Sequence, residues 1–292
     1  MLNFSAATGI SVVETDGPYA GYACHNASHA HHQGASNSVQ VQSRNMAAVY
    51  TALRNAGLHI NAPDSWFTAG INKMGEGYNE GTSRLPRTKS APIYRGVMYD
   101  ATYYTLPSAA WSFLPLTGCG SSECEYEPLS SNLADFELAL AQHLAFGISA
   151  FLYQGTTLYD TPAGAALYLK WGGFFKAHRA LLATGDLVHL RRVDGQGLDA
   201  ILHAAAGSAT PGLLVAFNPS DQPVQGGSLL VSLYYTGLQG SANVTVEPWP
   251  GSQGGAAQSY IVSLDSRGRG LVTGLNIAAR SLTWATITAV AR

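Results

Sequence analysis

The chain changes character once, near residue 183, and that change constrains the fold more than any single motif does. Before it, short apolar runs alternate with helical patterns. "GISVVET" (9–15) reads as a buried, β-branched strand. Residues 36–56 read as a helix, with Met46, Val49, Tyr50 and Leu53 at i, i+3, i+4 and i+7 and Gly57 as the stop. "LHINAPD" (58–64) is a second strand, and the glycine-rich stretch 69–83 has room for another short one. A weak helical pattern over 87–104 is interrupted by Pro92, and "AAWSFLPLTG" (109–118) reads as a strand. The next helix starts at a cap on Ser131 or Asn132, carries a Leu133, Phe136, Leu140, Leu144 stripe and stops at Gly147. "ISAFLYQG" (148–155) is a strand. The following long helix has Thr161 as cap, Pro162 at its first position and a weak point at Gly172–Gly173.

Alternation of this kind builds a parallel sheet covered by helices, so residues 1–183 are expected to be an α/β domain whose sheet is open or closed into a barrel. After it come only short strand-like runs: "DLVHLRR", "LDAILHAA", "GLLVAFNPS", "GSLLVSLYYTGL", "NVTVEPW", "SYIVSLD" and "SLTWATITAV". Residues 184–292 are therefore expected to form an all-β antiparallel sandwich. The tryptophans of this part, Trp249 and Trp284, are read first as core.

Composition narrows the partners. Charged residues are only 12% of the chain and the net charge is -2, without a basic stripe, which disfavours nucleic acid. No apolar run reaches ~18 residues, so no membrane span is expected, and the N-terminus lacks the pattern of a signal peptide. Of the three cysteines, Cys119 and Cys124 could pair in an oxidising compartment, leaving Cys24 free. The absence of CxxC argues against structural zinc, and no cofactor is called for. Sequons at Asn3, Asn26 and Asn243 permit glycosylation without requiring it. Compartment and oligomeric state stay open.

In a parallel β/α barrel, reactive residues gather at the C-terminal ends of the strands. Those ends carry Glu14 and Asp16, then Asn61 and Asp64 with Trp66 beyond, then Lys73, Glu76, Tyr78 and Glu80, then Trp111 and Thr117, and last Tyr153 and Gln154. Tyr19 stands in the "DGPY" turn after the first strand. Carboxylates, amides and aromatic rings in one place suit a sugar, whose C–H faces stack on rings while its hydroxyls need polar partners.

These stretches also carry a resemblance. A strand ending in "ETD", then "INAPD", "GYNE…LPR", "TLPSAAWSFLPLTG", "GISAFLYQG" and a terminal sandwich resembles the retaining α-galactosidase group of glycoside hydrolases, the melibiase-like barrels. More closely it is similar to uncharacterised bacterial relatives of that group, through "ETDGPY", the spaced histidines, "NK-G-GY-E", "LPR" and "LYYTGL". The resemblance implies a glycosidase acting on an α-linked sugar by a two-carboxylate retaining mechanism. It puts the nucleophile at Asp16, where the group's lysine two positions earlier is replaced by Glu14. A carboxylate there raises the nucleophile's pKa, where a lysine lowers it. The acid/base matches Glu80, an aspartate in the group, with Arg84 or Arg87 following; Asp64 and Asp100 are rivals. Glu14, Tyr19, His31, His32, Asp64, Trp66, Lys73, Tyr78, Arg87 and Trp111 are the candidate substrate contacts, chosen by their chemistry and place in the chain. The first strand would then be barrel strand four, the chain a C-terminal piece holding about strands four to eight, and these 292 residues alone of little or no activity.

Plainer readings stand beside these. Asp16 can satisfy backbone amides of its turn, Glu80 can pair with Arg84, and Asp64 is a natural turn residue. His25, His29, His31 and His32 can be a solvated loop or, less simply, metal ligands. At the level of function, the alternative to a hydrolase is a carbohydrate-binding or structural remnant that has lost its chemistry.

Overall fold

The computed structural model describes residues 1–15, 21–28, 30–61, 85–103, 111–114, 121–148, 150–153, 159–247 and 256–291. It divides into two compact units, Met1–Tyr78 with Ala109–Trp111, and Asn79–Ser108 with Ser112–Arg292.

The first unit contains a βαβ motif. β1 (Val12–Glu14) and β2 (His59–Asn61) pair in parallel, Val12 opposite His59 and Glu14 opposite Asn61. Between them runs a helix over Ser38–Asn55, ended by Gly57 at φ 83, a left-handed conformation that glycine adopts without strain. Tyr50 and Leu53 of the helix bury against Leu58 and Ile60, with Val13 and Met46 partly covered at the margin. The apolar stripe is narrower than its spacing predicts. Val49, expected on it, is 43% exposed, because Tyr50 and Leu53 take the line that faces the strands. A further helix, Leu2–Thr8, was not foreseen; it buries no residue and is held by its own backbone, so no apolar period announces it. In chain order these two helices are α1 and α2.

In the second unit three helices follow: α3 (Arg87–Ala101), α4 (Leu133–Ala145) and α5 (Pro162–Thr184). α3 continues through Pro92. Thr161 caps α5, its hydroxyl accepting from the Gly164 amide at 3.2 Å, and the helix runs unbroken through Gly172–Gly173. Short strands β3 (Trp111–Leu114) and β4 (Ala150–Tyr153) neighbour each other. The expected stripe on α4 is an underestimate: every residue from 138 to 148 is buried, so the helix is covered all round in its last turns.

The remaining strands are β5 (Asp186–Arg191), β6 (Asp199–Ala204), β7 (Gly212–Asn218), β8 (Val224–Ser232), β9 (Ser241–Glu247), β10 (Gln258–Ser263), β11 (Arg269–Ile277) and β12 (Ser281–Thr288). Six of them form a sheet in the order β10-β9-β12-β7-β6-β5, with antiparallel pairings throughout, and β8 pairs antiparallel with β11 as a two-stranded ribbon. β11 is missing from the strand reading of the sequence, because Gly270 and Gly274 break its alternation and its pairing slips near Gly274.

Sheet and ribbon enclose one core: Leu202, Leu214, Val244 and Ile287 on one side, Val231, Val272 and Leu275 on the other. β6 and β7 are buried along their whole length, so their second face is covered as well. The helices supply that cover. Phe146 stacks on Phe217 with centroids 6.0 Å apart, and Trp171 and Phe174 of α5 meet Trp284 of β12 edge-on at 5.8 and 4.9 Å. Burial on both faces is why "DAILHA" and "GLLVAFN" read as continuous apolar runs. Each fully buried leucine or phenylalanine there contributes ~1.5–3 kcal/mol. The change of element type expected at 183/184 falls between α5 and β5, and both lie in this second unit.

Candidate active site at the ends of the parallel strands

Parallel pairing in register brings the C-terminal ends of β1 and β2 abreast, with Glu14 beside Asn61. The loops that carry the candidate acids begin at these ends. The exit of β1 is fixed by Thr15, whose hydroxyl lies 2.8 Å from that of the buried Tyr50 in α2. The chain beyond is tied to the same helix. The Tyr22 amide donates to Gln42 Oε1 at 3.1 Å, and the Cys24 amide donates to the buried Ser38 Oγ at 3.0 Å. Side-chain acceptors of the N-terminal half of α2 therefore hold the chain at Tyr22 and Cys24.

Asp16, Tyr19, Asp64, Trp66, Lys73, Tyr78 and Glu80 lie outside the described residues, as do the side chains of Glu14 and Trp111. Of the predicted contacts, His31 is exposed and His32 half-buried; the His32 Nδ1 accepts the Gly34 amide at 3.0 Å, which fixes that ring within its own turn. Among the described residues no three His, Cys, Asp or Glu stand together as a metal site. Nor is any described helix long and apolar enough to cross a membrane. Cys124 is disulfide-bonded and Cys24 is not; Cys119 lies outside the described residues.

Arg87 opens α3 and is committed within the fold. Its Nε pairs with Asp135 Oδ2 at 3.0 Å, and its Nη1 donates to the carbonyls of Ser122, at 2.8 Å, and Glu125. Asp135 also receives Arg280 at 3.1 Å, so one carboxylate ties α4 to the start of α3 and to the β11–β12 turn. Asp135, which gathers these groups, stands in a helix whose sequence signal is its apolar stripe, so only the fold reveals it. Asp100, the rival acid, is held bidentately by Arg192 at 2.8 and 2.7 Å. That guanidinium keeps its carboxyl below the usual carboxylate range, which suits an ion pair and not a proton donor.

The strongest buried polar arrangement was likewise invisible in the sequence. Arg95 pairs bidentately with Asp199 at 2.9 and 3.0 Å, reaches Gln142 Oε1 at 3.2 Å and lies over the Phe217 ring. It locks α3 and α4 to β6 and β7. Two histidines share this interior. His143 donates from Nδ1 to the Ala139 carbonyl at 2.6 Å, and His203 from Nε2 to that of Ala145 at 2.7 Å. Burial pushes both imidazoles down to about 4, against the pull of these carbonyls.

No family model matches the sequence, and no curated protein does. Solved structures do match. The chain shares its fold with part of α-galactosidase-type glycoside hydrolases. The GH36 α-galactosidase AgaB of Geobacillus stearothermophilus shares it with a TM-score of 0.59 at 12% identity, over 98% of this chain and 36% of that one. A variant of the GH36 α-galactosidase AgaA of the same organism, crystallised with stachyose, gives 0.60 at 12% identity, over 99% and 37%. A variant of the GH27 β-L-arabinopyranosidase Abp, also from that organism, crystallised with arabinose, gives 0.54 at 11%, over 99% and 61%. The chain thus spans about a third of the length of the α-galactosidases it matches. At these identities the likeness is one of fold.

Proposed function

We propose that this chain carries the acid-bearing rim of a glycoside hydrolase acting on an α-linked galactoside-type sugar. Its first part, 1–183, would be part of a β/α barrel, about strands four to eight, and 184–292 the accompanying sandwich. The observation that carries the reading is the parallel pairing of β1 with β2, which starts the loops of Asp16 and Asp64 side by side at C-terminal strand ends. The fold shared with GH36 α-galactosidases supports it, as does the mixture of acids, amides and rings in those loops.

In the proposed reaction the Asp16 carboxylate attacks the anomeric carbon. The bond to the leaving oxygen breaks as Glu80 gives that oxygen its proton. Glu80, now a carboxylate, takes a proton from water, which attacks the same carbon and releases Asp16. Glu14, Trp66, Lys73, Tyr78 and Trp111 are the proposed contacts to the sugar, joined by Tyr19, His31, His32 and Asp64. Arg87 joins them through Nη2, since its Nε and Nη1 serve Asp135 and two carbonyls.

The test is hydrolysis of raffinose and of an aryl α-galactoside by the protein that carries this chain. Asp16→Asn and Glu80→Gln should each lower kcat/KM by ~10³-fold or more at an unchanged melting temperature. Turnover by the Asp16→Asn protein at the wild-type rate overturns the assignment. The replacement of the group's lysine by Glu14 favours a second reading, carbohydrate binding without turnover. It predicts raffinose binding by the wild type, no hydrolysis, and little effect of Asp16→Asn on affinity.

A further inference from the structure

One end of the C-terminal strands holds a cavity of about 340 Å³, a volume within the ~300–1,000 Å³ usual for small-molecule sites. It is lined by the 3₁₀ turn at Tyr234, the loop Gly237–Gly240 and the β10–β11 turn Leu264–Gly268.

The walls are built in advance. The Leu233 amide donates to the Gly268 carbonyl at 2.8 Å and the Leu264 amide to that of Gly240 at 2.9 Å, which ties the two loops together. Asp265 spends both carboxylate oxygens inside its own turn. Oδ1 accepts the amides of Arg267 and Arg269 at 2.9 and 2.8 Å, and Oδ2 accepts Arg269 Nε at 2.8 Å. Gly268 sits at φ 69, and a Cβ there would lie 3.2 Å from the Tyr234 Cα, so the ring's backbone comes this close only against glycine.

Against this fixed frame stand uncommitted groups. Among the described residues, the side chains of Gln239, Ser266 and Arg267 and the hydroxyl of Tyr234 make no hydrogen bond or ion pair. Tyr234 is 68% exposed and braced edge-on by Tyr235 at 5.3 Å. An open aromatic face, neutral donors and acceptors, and one unpaired guanidinium in a formed cleft match a polyhydroxylated ring better than an apolar ligand. The C–H face of a pyranose covers the tyrosine, and adjacent hydroxyls reach Gln239, Ser266 and Arg267.

We propose that this cleft, whose lining includes neither Asp16 nor Glu80, is a saccharide-binding subsite of the sandwich. It takes the terminal ring or rings of a neutral α-linked oligosaccharide. The choice of saccharide class rests on the carbohydrate reading above; the site itself does not.

The experiment titrates raffinose into the Asp16→Asn protein, read by amide chemical shifts and calorimetry, with inorganic sulfate as a parallel probe. Raffinose is expected to shift amides in 237–240 and 264–268. Tyr234→Ser should weaken binding by about five- to tenfold, and Arg267→Ala by about three- to tenfold. Both positions are exposed, and unchanged melting temperatures will show that the variants fold. No raffinose-dependent shift in these loops, or affinity untouched by Tyr234→Ser, overturns the proposal. So does sulfate shifting these amides where raffinose does not, which makes the cleft an anion site. The two readings fail separately. Shifts here without turnover in the wild type refute the hydrolase and leave the subsite; turnover without shifts here does the reverse.

Discussion

Lowering the pH from 7 to 5 should destabilise this protein through two named histidines. Burial holds His143 and His203 neutral in the fold, with imidazoles pushed down to about 4, whereas in the unfolded chain they titrate near ~6.5. A group depressed in this way contributes its full stability above ~6.5 and loses it as pH falls toward the folded value, since only the unfolded chain takes up the proton in between. At pH 5 the loss is ~2 kcal/mol for each imidazole, or ~4 kcal/mol for both. Near pH 5.5 the unfolded state binds almost two more protons than the fold, a slope of ~2.4 kcal/mol per pH unit. His178 and His189, lowered by partial burial, act in the same direction. Urea unfolding at half-unit pH steps from 7 to 5 measures the slope. His203→Gln and His143→Asn each keep a donor near the nitrogen that meets the carbonyl and remove the titration, so each should reduce the slope by about one proton. Imidazole NMR supplies an independent readout, in which both rings stay neutral in the folded protein down to pH 5. Either ring titrating near 6.5 in the native state refutes the reasoning.

Two further outcomes follow from the structure and the proposed chemistry. Asp199→Asn leaves the Arg95 guanidinium buried without its counter-charge and should cost ~3–5 kcal/mol in urea unfolding, whereas the pair Arg95→Met with Asp199→Leu should recover most of that loss. A single-variant cost below ~1 kcal/mol would show that the pair does not lock helices to sheet. If Asp16 is the nucleophile, Glu14→Lys exchanges a neighbouring carboxylate for a cation, and the acidic limb of kcat/KM should move to lower pH by about one unit; an unmoved limb argues against that role.

Much of the local structure was legible because local structure is what residue spacing encodes. Tyr50 and Leu53 recur at helical spacing and bury on one line, Gly57 stops the helix, and Thr161 with Pro162 starts another. The parallel pairing of β1 and β2 follows from a helix between two strands, since the return path must run back along the sheet. The glycine-bearing β11 escaped because its signal is alternation, and glycine has no side chain to alternate. Spacing could not show that Arg87 also serves Asp135, because arginine chemistry is the same toward a hydroxyl and toward a carboxylate.

What the sequence determined by itself is therefore the kind and order of elements, together with a low charge that disfavours a polyanion as partner. What only the tertiary structure decided is which polar groups meet. Arg95 and Asp199 lie 104 residues apart, and Asp135 and Arg280 lie 145 apart. A periodic pattern reports only the direction in which a side chain leaves its own element. Its partner is chosen by how the helices lie across the sheet, and a burial deep enough to hold two histidines neutral exists only once that sheet is covered on both faces.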